Sequence, residues 1–593
     1  MTSEAMEFNN NNTREKDLLA RPIRTIEPRF LCSEYIPSDL EATQTKALLA
    51  EEQKEDEQYE KEVAHALELV ERLRRGQREL RANMDQRRGT LSCLRKIPTE
   101  IWVVIFSIVC SSARSGYLLH IDSTIDPRIR IVPTVVLSQV CVRWRRIAFG
   151  SSELWNSISI HFAKLSETSM YYLKLFLDNS KGSFLNVRIQ DNSSAHPWMP
   201  QIEEDHLELF AQHLPRCWRL TLQAKSPSLL NLLRGVQEIR FPHLIVYDEE
   251  TRDDPIDMGE RWWAALKNAP ELRTVSTYTL QPSTTPPYSQ LTKLKFRNLQ
   301  PEKVLGLFVM LPLCAQLKSL TLGLEERNGH GGNVPFSLAR VELPSLRVFI
   351  IESPGAADID KALLQEVFES LEMPSIQTFH LHCQGLMTMM TGWPPALLEM
   401  LERTRSLRQL LLSLDWCSGR SVGTTNNPSL VSPLLRVIPN VETLVLAMER
   451  ARIVSRVPFR DNANIFLSEL FSRLAQPNDP VVPKLADVRV YMTDIVLDTS
   501  CAEVVLEAAA ARSPMGALAA PANGPLTRPI SYLSVVRFSP EKTLLRSIGL
   551  GQVELKPALL RKIQDLGKEG VRVVIEEKDG LPALLQTSVG RWW

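Results

Sequence analysis

The chain has 593 residues, too many for one simple core, and its apolar share of 44% is ordinary for a folded protein. Lys plus Arg equals Asp plus Glu at 69 each, which argues against a polyanion as the main partner. No apolar run approaches the ~20 residues of a membrane span, and the amino terminus, MTSEAMEFNNNNTREKD, lacks the basic-then-apolar layout of a signal peptide.

A soluble, intracellular protein of the cytoplasm or nucleus is therefore expected, with no membrane and no nucleic-acid partner. The cysteines, at 32, 93, 110, 141, 217, 314, 383, 417 and 501, form no CxxC pair and no zinc-ligand spacing with histidine. They read as reduced thiols, mostly buried as small apolar groups.

Residues 1–38 read as disordered. A long amphipathic helix is predicted over 39–92. Its residues 51–62, EEQKEDEQYEKE, are acidic, whereas 72–96 are dominated by arginine, an order that suits the helix macrodipole. Tyr59, Val63, Ala66, Val70, Leu73, Gln77, Leu80, Met84, Arg87 and Leu91 recur at alternating gaps of four and three, a heptad seam that Gln77 and Arg87 interrupt. The two readings are a dimeric coiled coil and one helix packing back on its own chain. Few seam positions are Leu or Ile, so the second is the expectation, and with it a monomer. The arginines lack the aromatic interleaving of a single-strand binder.

The run LRKIPTEIWVVIFSIVC (94–110) comes next. Pro98 can open a helix at its first turn, with Glu100 near the positive end. Ile101, Ile105, Ile108 and Val109 fall on one face, and Trp102 and Phe106 widen it. Downstream, Val136, Val140, Trp144 and Ile147 predict a second helix stripe, with Arg143, Arg145 and Arg146 around it. Leu154, Trp155, Ile158 and Ile160 then turn to a strand-like alternation. Two or three short helices bury little apolar surface among themselves, so such a unit needs a partner or a neighbouring domain.

The pattern Ile97-Pro98-x-Glu100-Ile101-x-x-x-Ile105-Phe106, then Val140-Cys141-x-x-Trp144-Arg145-x-Ile147-Ala148, then Leu154-Trp155, resembles an F-box. The whole chain is similar to the F-box proteins abundant in mushroom-forming fungi, which place an amphipathic helix before the F-box and a leucine-rich region after it. The resemblance implies docking on a Skp-family adaptor of a cullin ubiquitin ligase. It implies as contacts Ile97, Pro98, Glu100, Ile101, Ile105, Phe106, Val109, Val140, Cys141 and Trp144. Two departures stand out: Ile97 replaces the usual leucine, and residues 111–134 are a longer insert than a compact F-box has. The F-box is assigned to 93–156.

Residues 157–593 carry a repeat, apolar-x-x-apolar-x-apolar. It appears as WNSISI (155–160), FLNVRI (184–189), CWRLTL (217–222), VQEIRF (236–241), LTKLKF (291–296), LKSLTL (317–322), LRVFII (346–351), IQTFHL (376–381), LRQLLL (407–412), VETLVL (441–446) and LADVRV (485–490). LRTVST (272–277) and LSVVRF (533–538) are poorer copies. Successive starts from 291 to 441 advance by 26, 29, 30, 31 and 34 residues. Several copies follow a proline: LPSL, MPSI, IPNV and VPKL. Helical stretches at 302–311, 358–372, 394–404, 463–475 and 502–511 lie between copies, with Asp358 and Ser500 as plausible N-caps. The fold class is α/β: a long helix and a small all-α F-box, followed by an irregular leucine-rich-repeat solenoid of parallel strands alternating with helices.

Catalytic patterns are absent. Gly567-Lys568-Glu569-Gly570 lacks the spacing and the hydroxyl of a phosphate loop, and no G-x-S-x-G accompanies His330-Gly331-Gly332. His380 and His382 flank Leu381 on one strand face but lack a third metal ligand. No cofactor is expected. The paired tryptophans 262–263 and 592–593 have no evident role, though the second pair could cap the last repeat.

The expected function is a non-enzymatic substrate-recognition adaptor that presents an unknown protein substrate to a cullin ligase. The alternative is an interaction scaffold with a vestigial F-box. Long loops at 323–335, 413–433 and 447–462 are candidate recognition segments, led by Arg450, Arg452, Arg456 and Arg460. The rival surface is the exposed strand face with His380, His382 and Arg489.

Overall fold

In the computed structural model the described residues are 28, 34–91, 93–111, 119–121, 132–161, 167–191, 211–224, 239–249, 260–278, 287–299, 301–324, 337–353, 361–383, 393–416, 430–450, 462–476, 481–493, 499–513, 528–539, 557–568 and 571–579. They form two compact units, Met1–Pro98 and Thr99–Trp593. Most of the terminus expected to be disordered lies outside the described residues.

The first unit is dominated by α1, Asp39–Leu91. Its start is a capping box. Ser38 Oγ and the Ser38 backbone N–H both donate to the Glu41 carboxylate, at 2.8 and 2.9 Å. None of the helix's residues is buried.

The second unit is mixed α/β. It opens with three short helices, α2 (Thr99–Ser111), α3 (Pro133–Val140) and α4 (Val142–Gly150). Its described strands build an open sheet of fifteen in the order β1-β2-β3-β4-β5-β6-β7-β8-β10-β12-β13-β14-β15-β16-β17, every pair parallel. The two strands left out, β9 (Val341–Glu342) and β11 (Leu371–Glu372), pair with each other. The repeat copies supply β2 (Ser157–His161), β3 (Leu185–Asp191), β4 (Cys217–Ala224), β6 (Thr274–Thr277), β7 (Lys293–Leu299), β8 (Ser319–Leu324), β10 (Val348–Ser353), β12 (Thr378–Cys383), β13 (Gln409–Trp416), β14 (Thr443–Arg450), β15 (Asp487–Thr493) and β16 (Tyr532–Ser539).

Three strands of this large sheet were not foreseen. VQEIRF gives no strand among its described residues, because Pro242 follows and cannot donate to a ladder. β5 forms later, at Val246–Glu249. β17 (Arg572–Asp579) extends the far edge. β1 (Leu119–Ile121) comes from within the 111–134 insert and pairs with β2. The sheet therefore begins inside the segment assigned to the F-box.

The proline lead-ins are turns. In Leu343-Pro344-Ser345-Leu346 the last N–H donates to the first carbonyl at 3.2 Å, and MPSI, IPNV and VPKL repeat the bond at 3.3, 3.2 and 3.3 Å. Proline sits second, where its fixed φ is pre-set for the turn. Directly after the turn, the backbone N–H groups of two consecutive residues converge on the carbonyl just before the preceding strand. Arg408 and Gln409 both donate to Gln377 O at 2.9 Å, and Glu442 and Thr443 to Arg408 O at 2.7 and 3.0 Å.

Side chains alternate across this ladder. Phe296, Leu322, Ile351, Leu381, Leu412, Leu446, Val490 and Val535 are buried on one face, aligned strand to strand. Helices cover that face. Phe368 on α8 (Lys361–Ser370) packs edge-on against Phe379 of β12 with ring centres 6.3 Å apart. Consecutive helices also pack on each other: α8, α9 (Pro395–Arg403), α10 (Val431–Val437), α11 (Asn462–Leu474) and α12 (Thr499–Ala511). Ser500 lies inside the first turn of α12 rather than capping it; Asp358 lies outside the described residues. Trp262 and Trp263, on α6 (Glu260–Lys267), are buried, and Trp262 Nε1 donates to the Tyr247 hydroxyl at 3.2 Å. Trp592 and Trp593 lie outside the described residues.

Core row and turn carry different loads. Leu381→Ala should cost about 2–5 kcal/mol in urea unfolding, and Pro439→Ala only about 0.4–1 kcal/mol, through the unfolded chain. Equal losses at the two positions would contradict this division.

Candidate docking surface and strand face

On α2 the aromatic stripe is inward and the aliphatic stripe outward. Trp102, Phe106 and Cys110, at i, i+4, i+8, are buried. Trp102 and Phe106 meet Trp144 of α4 with ring centres 4.9 and 5.0 Å apart. Phe106, expected at the adaptor contact, is fully buried and belongs to this core.

The stripe expected from Val136 to Ile147 is broken. Cys141 is extended, with φ −159 and ψ 168, and divides it into α3 and α4. Its sulfur accepts from Trp144 N at 3.4 Å and so caps α4. A second set of bonds ties the helices to the 3-10 turn Ser152–Trp155, which leads into β2. Thr134 Oγ1 donates to Leu154 O at 3.0 Å, and Trp155 Nε1 donates to Ala148 O at 2.7 Å. Trp155 is also stacked on Phe149 at 5.2 Å and set edge-on to Phe176 at 4.9 Å.

This core leaves a set of aliphatic side chains in solvent. Ile101 is 50% exposed, Val104 54% and Ile108 62%; Val109, Val136, Val140 and Val142 are exposed as well. Of the expected contacts, Ile101, Val109, Val140, Cys141 and Glu100 are exposed, and Ile105 and Trp144 are half-buried. Ile97 and Pro98, half-buried and exposed, close the first unit. Val104, Val136 and Val142 share this exposure and were not among the expected contacts. The i, i+3, i+7 spacing of Ile101, Val104 and Ile108 was the available signal for Val104.

The sheet face opposite the helices holds the second candidate. Between β5 and β12 it carries paired polar residues, with Val348 and Ile350 of β10 among them. Arg297 donates to Asp248 at 2.8 Å and through Nε to Ser276 Oγ at 3.0 Å. Lys295 Nζ reaches Glu352 Oε2 at 3.1 Å, two strands away. β7 has a register irregularity between Phe296 and Leu299, which brings the Arg297 backbone against Gly323. A Cβ on Gly323 would run into that carbonyl, so the bulge requires glycine there.

His380 and His382 follow on β12, with ring centres 6.4 Å apart. They were expected to be exposed. Instead His382 is buried and His380 half-buried, because Leu411, Val445 and Ala447 of β13 and β14 rise beside them. Burial, with His382 and Lys295 nearby, holds His380 down at about 3, and burial also lowers His382 against the opposing pull of Glu352. Among the described residues no group of three or more His, Cys, Asp or Glu is gathered as a metal site would need. Arg489, towards the far end, is exposed. It pairs with Asp487 at 2.7 Å and lies 5.3 Å from the Tyr532 ring centre.

Arg450 ends β14, while Arg452, Arg456 and Arg460 lie outside the described residues, as do most of the three loops. No described helix is long and apolar enough to cross a membrane. The sequence matches no protein-family model and no curated protein.

The histidine pair gives the fold an acid limb. In the unfolded chain His380 titrates at 6.5, and in the folded chain at about 3. Above pH 6.5 it is neutral in both states. Below, the unfolded chain takes the proton first, so stability falls as pH drops from 6.5 towards 3. His380→Leu, beside Ile350 and Leu411 in the ladder, should gain on the parent by ~1–2 kcal/mol between pH 7 and pH 5. Parallel pH profiles in urea midpoints would refute a role for His380.

Proposed function

We propose that the protein is the substrate-recognition adaptor of a cullin-type ubiquitin ligase. In this reading α2, α3 and α4 are an F-box that docks on a Skp-family adaptor, and the sheet with its helices is a leucine-rich-repeat-like solenoid that holds a protein substrate. The observation that carries it is the exposed aliphatic surface of α2, α3 and α4 over a sealed aromatic core. A small domain does not leave so many Ile and Val side chains in water unless a partner covers them. The sequential parallel sheet, with one turn and one helix repeated between many strands, supports the solenoid.

The chemistry asked of such a protein is proximity. A substrate lysine amine attacks the thioester between ubiquitin and its carrier enzyme, forming an isopeptide bond and releasing the enzyme's cysteine thiol, and the adaptor raises the effective concentration of that lysine. Rigidity between the docking helices and the substrate surface then matters more than any catalytic side chain. The bonds from Thr134 to Leu154 and from Trp155 to Ala148 supply it at the junction.

The test is capture of a purified Skp-family adaptor by the full chain. Wild type should bind, and the Ile101→Asp, Ile108→Asp double variant should lose about 2 kcal/mol or more, thirtyfold in affinity. Both residues are exposed, so the melting temperature should hold. Absence of binding by wild type, or unchanged binding by the variant, overturns the reading.

A further inference from the structure

α1 presents its whole heptad seam to solvent: Val63 is 57% exposed, Leu73 65% and Leu80 61%, with Val70 and Met84 also exposed. A helix of 53 residues is about 80 Å long. Single helices of ordinary composition gain most of their stability by burying a face, and this one buries none. Its charge is divided end to end, acidic over 51–62 and basic over 72–96.

We propose that α1 pairs with α1 of a second copy of this chain as an antiparallel two-stranded coiled coil centred between Val70 and Leu73. In that alignment the seam residues meet in layers: Val70 with Leu73, Ala66 with Gln77, Val63 with Leu80, and Tyr59 with Met84. Each layer joins an a position to a d position, as antiparallel strands require. The next layer outward sets Asp56 of one copy against Arg87 of the other. Beside the seam, Glu60 faces Arg81 and Arg88. Two-fold symmetry makes each of these pairs twice.

The parallel alternative fails on the same residues. In register it stacks Asp56 on Asp56 and Arg87 on Arg87, and it brings Glu55 opposite Glu60, like charges in all three. The residues that break the seam as a parallel zipper are therefore those that fix the antiparallel one. A helix from another protein would need to reproduce both the acidic and the basic half; a second copy has both.

Sedimentation velocity of the full chain should show a dimer at micromolar concentration, and Leu73→Asp should make it monomeric. Asp56→Arg and Arg87→Asp should each weaken the dimer tenfold or more, and together restore it, because the pair is then re-formed with its signs exchanged. Should Leu73→Asp alter folding, the charge exchange alone decides the question. A monomeric wild-type chain overturns the proposal. So does a dimer that the single charge variants leave untouched, which would indicate a parallel pairing.

Discussion

Through most of the sheet, one carbonyl at the start of a strand accepts two N–H groups from the start of the next. From β6 to β16 the acceptor is Ile245, Arg273, Thr292, Lys318, Arg347, Gln377, Arg408, Glu442 and Ala486 in turn. This bond fixes register, and everything regular about the sheet follows from it. A slip of one residue would send every Leu and Phe of a strand to the opposite face. With the ladder pinned at its entrance, the start-to-start spacing can vary, from 26 to 34 residues between 291 and 441, without disturbing the core row. Variation is cheap in loops and costly in the row, because loop closure grows only slowly with length.

The row fails at two adjacent positions, Glu249 of β5 and Thr277 of β6, and the failure is compensated. In β5 the aligned position is Glu249, between Leu222 and Thr277. Burial pushes the Glu249 carboxyl upward, and donors from Thr277, Tyr247 and the Tyr278 backbone pull the other way. Thr277 Oγ1 and Tyr247 Oη donate to its two oxygens, and Trp262 Nε1 donates to Tyr247 in turn. A buried acid is tolerable only with its lone pairs occupied. β5 and β6 are four residues each, so side-chain bonds there take on part of what longer backbone ladders do elsewhere. LRTVST, which supplies β6, was also one of the two poorer copies in the sequence.

Strands were legible where alternation was strict. LKSLTL, IQTFHL and LADVRV put apolar residues at positions that only a pleated strand places on one face, and a proline turn marked several of their starts. β1 was not legible, since three residues between other elements carry no period. The break at Cys141 was missed because Val136, Val140, Trp144 and Ile147 keep helical spacing across it. The face of α2 was misjudged for a different reason: Trp102 and Phe106 match the aliphatic stripe in apolarity, and only the contact with Trp144 decides which stripe turns inward. Buried histidines were read as exposed because strand parity gives the face but not the height of the neighbours. Loops fixed by no period, such as 451–461, offered composition alone.

The two exposed apolar surfaces differ in what could cover them. α1 is self-complementary because it carries an acidic and a basic half on one seam. The surface of α2, α3 and α4 is not. Its three helices hold Arg143, Arg145 and Arg146 against Glu100 alone, and α3 has no charged residue. Two copies of that surface face to face would bring cation against cation, with desolvation and no return. An apolar partner rimmed with acids meets neither obstacle. Under the proposed function the same chain would then use one surface to find its own kind and the other to exclude it. The difference rests on where a handful of arginines stand relative to the aliphatic stripe.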